Sequence, residues 1–189
     1  MYIVEIYHNG WDKLIGSMIE IIKQWKDISL IEPSIRLLGT ICELVQTFEV
    51  QVSHLKVGDV DVIIGSLAKC LEEKNDNMEI RIGALVSLRN ASAFISTRIH
   101  DQKIREFVFD RLLLSLGMRD EEIVCLTYQV LIELVKGMYP YWYQIIDHII
   151  KMSKSHLASK SPKAVTFASE FWSALASEEN YRREFFRVV

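Results

Sequence analysis

His148, Met152 and His156 fall at i, i+4 and i+8, so a single helix would bring two imidazoles and a thioether onto one face. That spacing aligns soft metal ligands, but with no carboxylate or thiolate beside them the set makes a poor metal site, and a wet or partly packed helix flank is the plainer reading. Cys42, Cys70 and Cys125 are separated by 28 and 55 residues, which matches neither a zinc knuckle nor a dense disulfide framework. Cys42 and Cys125 lie within hydrophobic helical patterns, where a thiol is a small apolar side chain rather than a nucleophile. No Gly-rich phosphate loop, paired-carboxylate motif or nucleophile elbow is present. The chemistry-bearing residues therefore point to no catalysis, no cofactor and no metal.

Aromatic side chains are the next candidates for binding. Trp11, Trp25 and Trp142 bound helical segments and Trp172 sits on another, which suits packing between repeats better than ligand stacking. Tyr139, Tyr141, Trp142 and Tyr143 cluster where two helices should meet, and they are read as capping the helix ends. The wider composition agrees with a packed, non-nucleic-acid-binding chain. Half of the 189 residues are hydrophobic, and 22 Lys+Arg against 25 Asp+Glu leave a net charge of -3, so no basic field exists to neutralise phosphates. No apolar run approaches the roughly 18 residues of a spanning helix, and the chain reads as soluble and intracellular, with no membrane partner.

The elements that position these residues are helices. Only 3 Pro and 8 Gly punctuate the chain, too few for the hairpins of a sandwich or barrel. Four segments align without gaps on an aliphatic or small residue followed four positions later by a small one: Ile35 to Gly39, Ile80 to Ala84, Ile123 to Thr127 and Ala164 to Ala168. Their spacing of 45, 43 and 41 residues is the period of helical-pair solenoids. Each segment is preceded by another helical pattern, near Trp11 to Trp25, Asp59 to Glu73, Gln102 to Leu116 and Trp142 to Leu157. Pro33 and Pro162 mark second-helix starts, Ser161 is an N-cap, Gly117 is a helix stop and Lys74 to Asn77 is a polar turn. The expected fold is all-α: a HEAT-repeat (armadillo-like) right-handed superhelix of about four hairpins, at 10–48, 58–95, 101–139 and 142–179.

Within that frame, the informative residues are apolar ones that point away from their own helix's stripe. Val108, Phe109, Leu112, Leu113 and Leu116 form one stripe, and Phe107 and Leu114 lie roughly 160° or more from its centre. Ile145 and Met152 sit beside the stripe of Trp142, Ile146, Ile149 and Ile150. In a solenoid such flanks face the groove between neighbouring outer helices. They serve either inter-repeat packing or a peptide pocket on the convex surface.

The residues resemble the importin-β (karyopherin-β) family of nuclear transport receptors, over nearly the whole chain but only an internal early-to-middle stretch of the family. Asn9-Gly10-Trp11 with Leu14-Ile15 is similar to the family's Asn-x-Trp-x-x-Leu-Ile, and Gly39-Thr40-Ile41-Cys42 to its Gly-x-Ile-Cys. Ile80-Arg81-Ile82-Gly83-Ala84 with Leu88, Asn90 and Phe94 matches a following second helix, and Glu170-Phe171-Trp172-Ser173 with Glu178-Glu179 a later one. The resemblance implies binding of nucleoporin Phe-Gly repeats in grooves between outer helices, location in the cytoplasm, nucleus and nuclear pore, and, in a full-length receptor, Ran GTPase and importin-α or cargo as partners. Taken with the off-stripe flanks, it gives expected pocket residues at Ala68, Phe107, Leu114, Ile145 and Met152: Phe107 falls where the family has a groove Phe, Ala68 where it has an Ile, and Met152 at another aliphatic position, while a family Tyr aligns near Gln144 or Ile145. The family's amino-terminal repeats, acidic loop and carboxy-terminal half have no counterpart, so the chain is expected to be a fragment or a truncated or divergent product. Met1 to His8 would be the stub of a preceding helix and Asn180 to Val189 a lead-out. The alternative is a generic HEAT or armadillo scaffold that holds a protein partner on its concave face.

Overall fold

The computed structural model describes residues 11–47, 57–72, 76–139 and 141–178. Asn9-Gly10, the stub over 1–8, Lys74 and Asn75 of the polar turn, Glu179 and the lead-out over 180–189 lie outside the described residues. Helix starts are set by side chains that accept the first free N–H groups. Asn77 accepts from Ile80 N at 3.1 Å and opens α4 (Met78–Asn90), counting α1 as Trp11–Gln24, α2 as Ile28–Thr47 and α3 as Val57–Lys69. Asp101 accepts from Lys103 N at 2.9 Å to open α6 (Gln102–Leu116), after the short α5 (Ser92–Arg98). Asp120 accepts from Ile123 N at 3.0 Å to open α7 (Glu121–Leu134). A 3₁₀ turn (Tyr141–Gln144) leads into α8 (Ile146–Leu157), and Ser161 accepts from Ala164 N at 3.1 Å to open α9 (Pro162–Ser177), with Pro162 in its first turn. The described residues contain no strand.

The helices form two rows. The inner row runs α2, α4, α7, α9 and the outer row α1, α3, α6, α8, each member packed on its predecessor and on its own hairpin partner. The seam of the inner row is the aligned repeat pattern: Ile35, Gly39, Ile80, Ala84, Ile123, Thr127, Ala164 and Ala168 are all buried. A small residue at the fourth position lets one inner helix approach the next. At Gly39 the approach is so close that a Cβ would sit 2.5 Å from Ser87 Oγ, and that hydroxyl donates to Ile35 O at 2.9 Å.

Three boundaries differ from the sequence reading, each for a local reason. The second helix begins at Ile28, not at Pro33, because Asp27 accepts from Ser29 N at 3.0 Å; Pro33 therefore lies inside α2. The turn before it places Trp25 at φ 51, a left-handed conformation normally left to Gly, and the half-buried indole packs on the core. Ala91, at φ -93 and ψ 8, interrupts what reads as one helix to Phe94 and divides α4 from α5. Ile145, at φ -126, separates the 3₁₀ turn from α8, so Trp142 is not on the same helical wheel as Ile149.

Buried arginines close the helix ends. Arg81 Nη2 donates to Glu72 O at 2.7 Å and Nη1 to Leu71 O at 3.2 Å, supplying partners to the carbonyls left free after α3. Arg105 does the same after α5, donating from Nη1 to Ile99 O at 2.9 Å and to His100 O at 3.2 Å. Arg98 forms a bidentate pair with Asp61, at 2.5 and 2.9 Å, joining α5 to α3.

Candidate functional site

Because α3, α6 and α8 are successive members of the outer row, they delimit two convex grooves, α3/α6 and α6/α8. Phe107 projects from α6, half-buried, with its ring resting on the rim of the core. Leu114, two turns further along α6, is half-buried as well. On α3, Ala68 is fully buried and offers no accessible surface. On the α6/α8 side Met152 is half-buried on the core rim, its methyl end near Gly117, while Ile145 is 5% exposed and belongs to the packed interior. Phe107, Leu114 and Met152 are thus partly reachable from solvent, whereas Ala68 and Ile145 are buried.

One charged residue completes the α3/α6 groove. The Arg111 guanidinium lies over the Phe107 ring, 5.0 Å from its centroid, and Nη2 reaches Glu72 Oε1 at 3.8 Å across the groove. Arg111 Nε is buried with no hydrogen-bond partner. Sequence periodicity missed Arg111 because charged residues off the apolar stripe read as solvated. The signal that finds it is the i, i+4 step from Phe107, the spacing that stacks neighbouring side chains on one helix face.

The other candidate chemistry resolves into packing. Burial pushes the Cys42 and Cys70 thiols up to about 12, and raises Cys125 too, so none is a ready nucleophile. His148 is exposed, whereas His156 Nδ1 lies 2.9 Å from Tyr128 OH, which also meets Ser153 Oγ at 3.0 Å. Burial holds the His156 imidazole below its ordinary value and the Tyr128 phenol above its own. No group of three His, Cys, Asp or Glu poised to hold a metal occurs among the described residues. The tyrosine cluster does meet helix ends: Tyr141 lies under the Arg105 guanidinium at 4.1 Å and its OH is 3.0 Å from His100 Nδ1. Trp142 is buried and donates from Nε1 to Val135 O at 3.3 Å. Phe171 is fully buried, its ring centroid 5.4 Å from Trp142 and 5.9 Å from Tyr128.

A second surface lies on the inner row. Leu30, Leu37 and Leu44, spaced by seven, are 49%, 42% and 41% exposed, a ridge on the side of α2 roughly opposite Ile35 and Gly39 on an ideal wheel. The repeat pattern did not reveal this ridge, since any apolar residue in a helix between layers reads as buried.

The two rows, the small-residue seam and the hairpin period define a HEAT-repeat superhelix. Among solved structures, importin β crystallised in an ammonium sulfate condition matches at a TM-score of 0.80 and 18% identity, over 98% of this chain and 21% of that chain. Kap95p, in the structure that describes its binding as inducing the switch loops of RanGDP to adopt the GTP-bound conformation, matches at 0.74 and 18% identity, over 97% of this chain and 20% of that one. The chain has the fold of these importin-β structures and spans about a fifth of their length. No protein-family model and no curated protein matches the sequence. No helix among the described residues is long and apolar enough to cross a membrane.

Proposed function

We propose that this chain acts as a segment of a nuclear transport receptor, without catalysis, and binds nucleoporin Phe-Gly repeats in the α3/α6 and α6/α8 grooves. The observation that carries the reading is Phe107: an aromatic ring set opposite its helix's main stripe and only half-buried, on a fold shared with importin β. Phe107, Leu114 and Met152 supply the accessible apolar surface, and Ala68 and Ile145 are buried. A peptide Phe ring gains roughly 1.5 to 3 kcal/mol from such a pocket before ordering costs. Single contacts are therefore weak and reversible, and useful binding comes from several repeats on several grooves.

In the same reading, Ran and importin-α or cargo are partners of a longer receptor, because this chain corresponds to about a fifth of the Kap95p chain solved with RanGDP. Its working places are the cytoplasm, the nucleus and the nuclear pore. The test is capture of the purified protein on immobilised Phe-Gly repeats, with Ser-Gly repeats as control. Retention on the first and not on the second is expected; equal behaviour on both overturns the reading.

A further inference from the structure

We propose that Arg111 makes the α3/α6 groove selective for aromatic over aliphatic side chains; the proposal rests on the peptide-groove reading above. Phe107 and Arg111 are one turn apart on α6, and the Glu72–Arg111 contact ties the turn after α3 to α6 beside Phe107. Arg111 is held there by little: one ring face at 5.0 Å and one carboxylate oxygen at 3.8 Å, beyond hydrogen-bond distance.

Its Nε–H is out of water and unpaired, although most buried donors are satisfied. The side chain nonetheless keeps 27% of its surface exposed, and Glu72 keeps 33%. A planar cation that already lies over one aromatic ring, short of partners and still partly open, gains most from a second π face. An aliphatic side chain fills the same volume but offers the cation nothing, since the attraction comes from the ring quadrupole. Lysine would not serve equally, because only the planar guanidinium can stack between two rings. The partner chemistry is thus a peptide anchored by an aromatic ring.

The experiment measures affinities of a multivalent Phe-Gly peptide and its Leu-Gly counterpart for the wild-type chain, Arg111→Met and Phe107→Ser. The wild type should prefer Phe-Gly by about three- to tenfold. Arg111→Met should bring that ratio close to one, mainly by weakening Phe-Gly, while its melting curve stays near that of the wild type. An unchanged ratio in Arg111→Met, with Phe107→Ser still losing binding, overturns the role of Arg111 and leaves the groove reading standing. Failure of both peptides on the wild type overturns the two together. Arg111→Lys separates charge from stacking: a ratio as low as that of Arg111→Met supports the stacked guanidinium, and a wild-type ratio contradicts it.

Discussion

Replacing Gly39 by alanine adds one methyl at the tightest contact of the inner row. In an open helix interior the exchange stabilises by up to about 1 kcal/mol, because alanine loses less backbone freedom on folding. Here the new Cβ would stand 2.5 Å from Ser87 Oγ and 2.7 Å from Ser87 Cα. The second of these atoms is backbone, so no rotamer change relieves the clash and α2 must move away from α4. Such overpacking costs about 1 to 3 kcal/mol, and the shift also strains the buried Ser87 Oγ bond to Ile35 O. The net expectation is a loss of about 1 to 3 kcal/mol, seen as a melting temperature lower by roughly 2 to 10 °C. Gly83 is the internal control: its added Cβ would meet Ile35 Cγ2 at 3.7 Å and Glu32 Cγ at 3.9 Å, ordinary contact distances. Gly83→Ala should therefore be neutral or stabilising by up to about 1 kcal/mol. Thermal and urea denaturation of both variants beside the wild type make the comparison. A Gly39→Ala protein as stable as Gly83→Ala would refute the close packing of α2 on α4.

The thiols of Cys42 and Cys70, pushed up to about 12 by burial, should resist an aromatic disulfide reagent at pH 8 in the native state and react fully in urea; rapid native labelling of either would contradict their placement. His156 is held below its ordinary value by burial, so the folded state favours its neutral form: the stability this contributes is complete above the unfolded value near about 6.5 and is lost as pH falls below it. Urea midpoints should drop between pH 7.5 and 5.5, and His156→Gln should flatten that slope; an identical slope in the variant would remove His156 as its source. Arg81→Met leaves the carbonyls of Leu71 and Glu72 short of a donor and should cost about 2 to 4 kcal/mol in denaturant titration, whereas exposed Arg36→Met should cost less than about 1.

Helix content and the repeat register were legible because both rest on periodicity. The aliphatic-to-small step at Ile35 to Gly39 and its three successors is a packing requirement, and packing requirements recur. What the sequence concealed depends on single dihedrals or on neighbours distant along the chain. An Asx contact at Asp27 outweighed the proline signal at Pro33, and one residue at Ile145 in a non-helical conformation detached Trp142 from the helix it seemed to begin. Nothing in the helical periodicity marks Arg81 or Arg105 as buried, yet the helix ends they satisfy enclose them. At the candidate site Phe107 was identifiable by its place off the stripe. The depth of Ala68 and Ile145 was not, since a wheel gives direction around one helix and not the distance to the next. For Arg111 the i, i+4 step from Phe107 was legible, but its contact with Glu72, at another helix end, was not.

If Phe107 belongs to a peptide groove rather than to the core alone, Phe107→Ser separates the two with two readouts on one protein. A half-buried ring predicts a stability loss of about 1.5 kcal/mol or less, against roughly 3 or more for a fully buried phenylalanine. Titration of a multivalent Phe-Gly peptide should show at least about a tenfold loss of affinity, the equivalent of roughly 1.4 kcal/mol per lost pocket contact. Unchanged peptide affinity accompanied by a stability loss of about 3 kcal/mol would place Phe107 in the core and contradict the account.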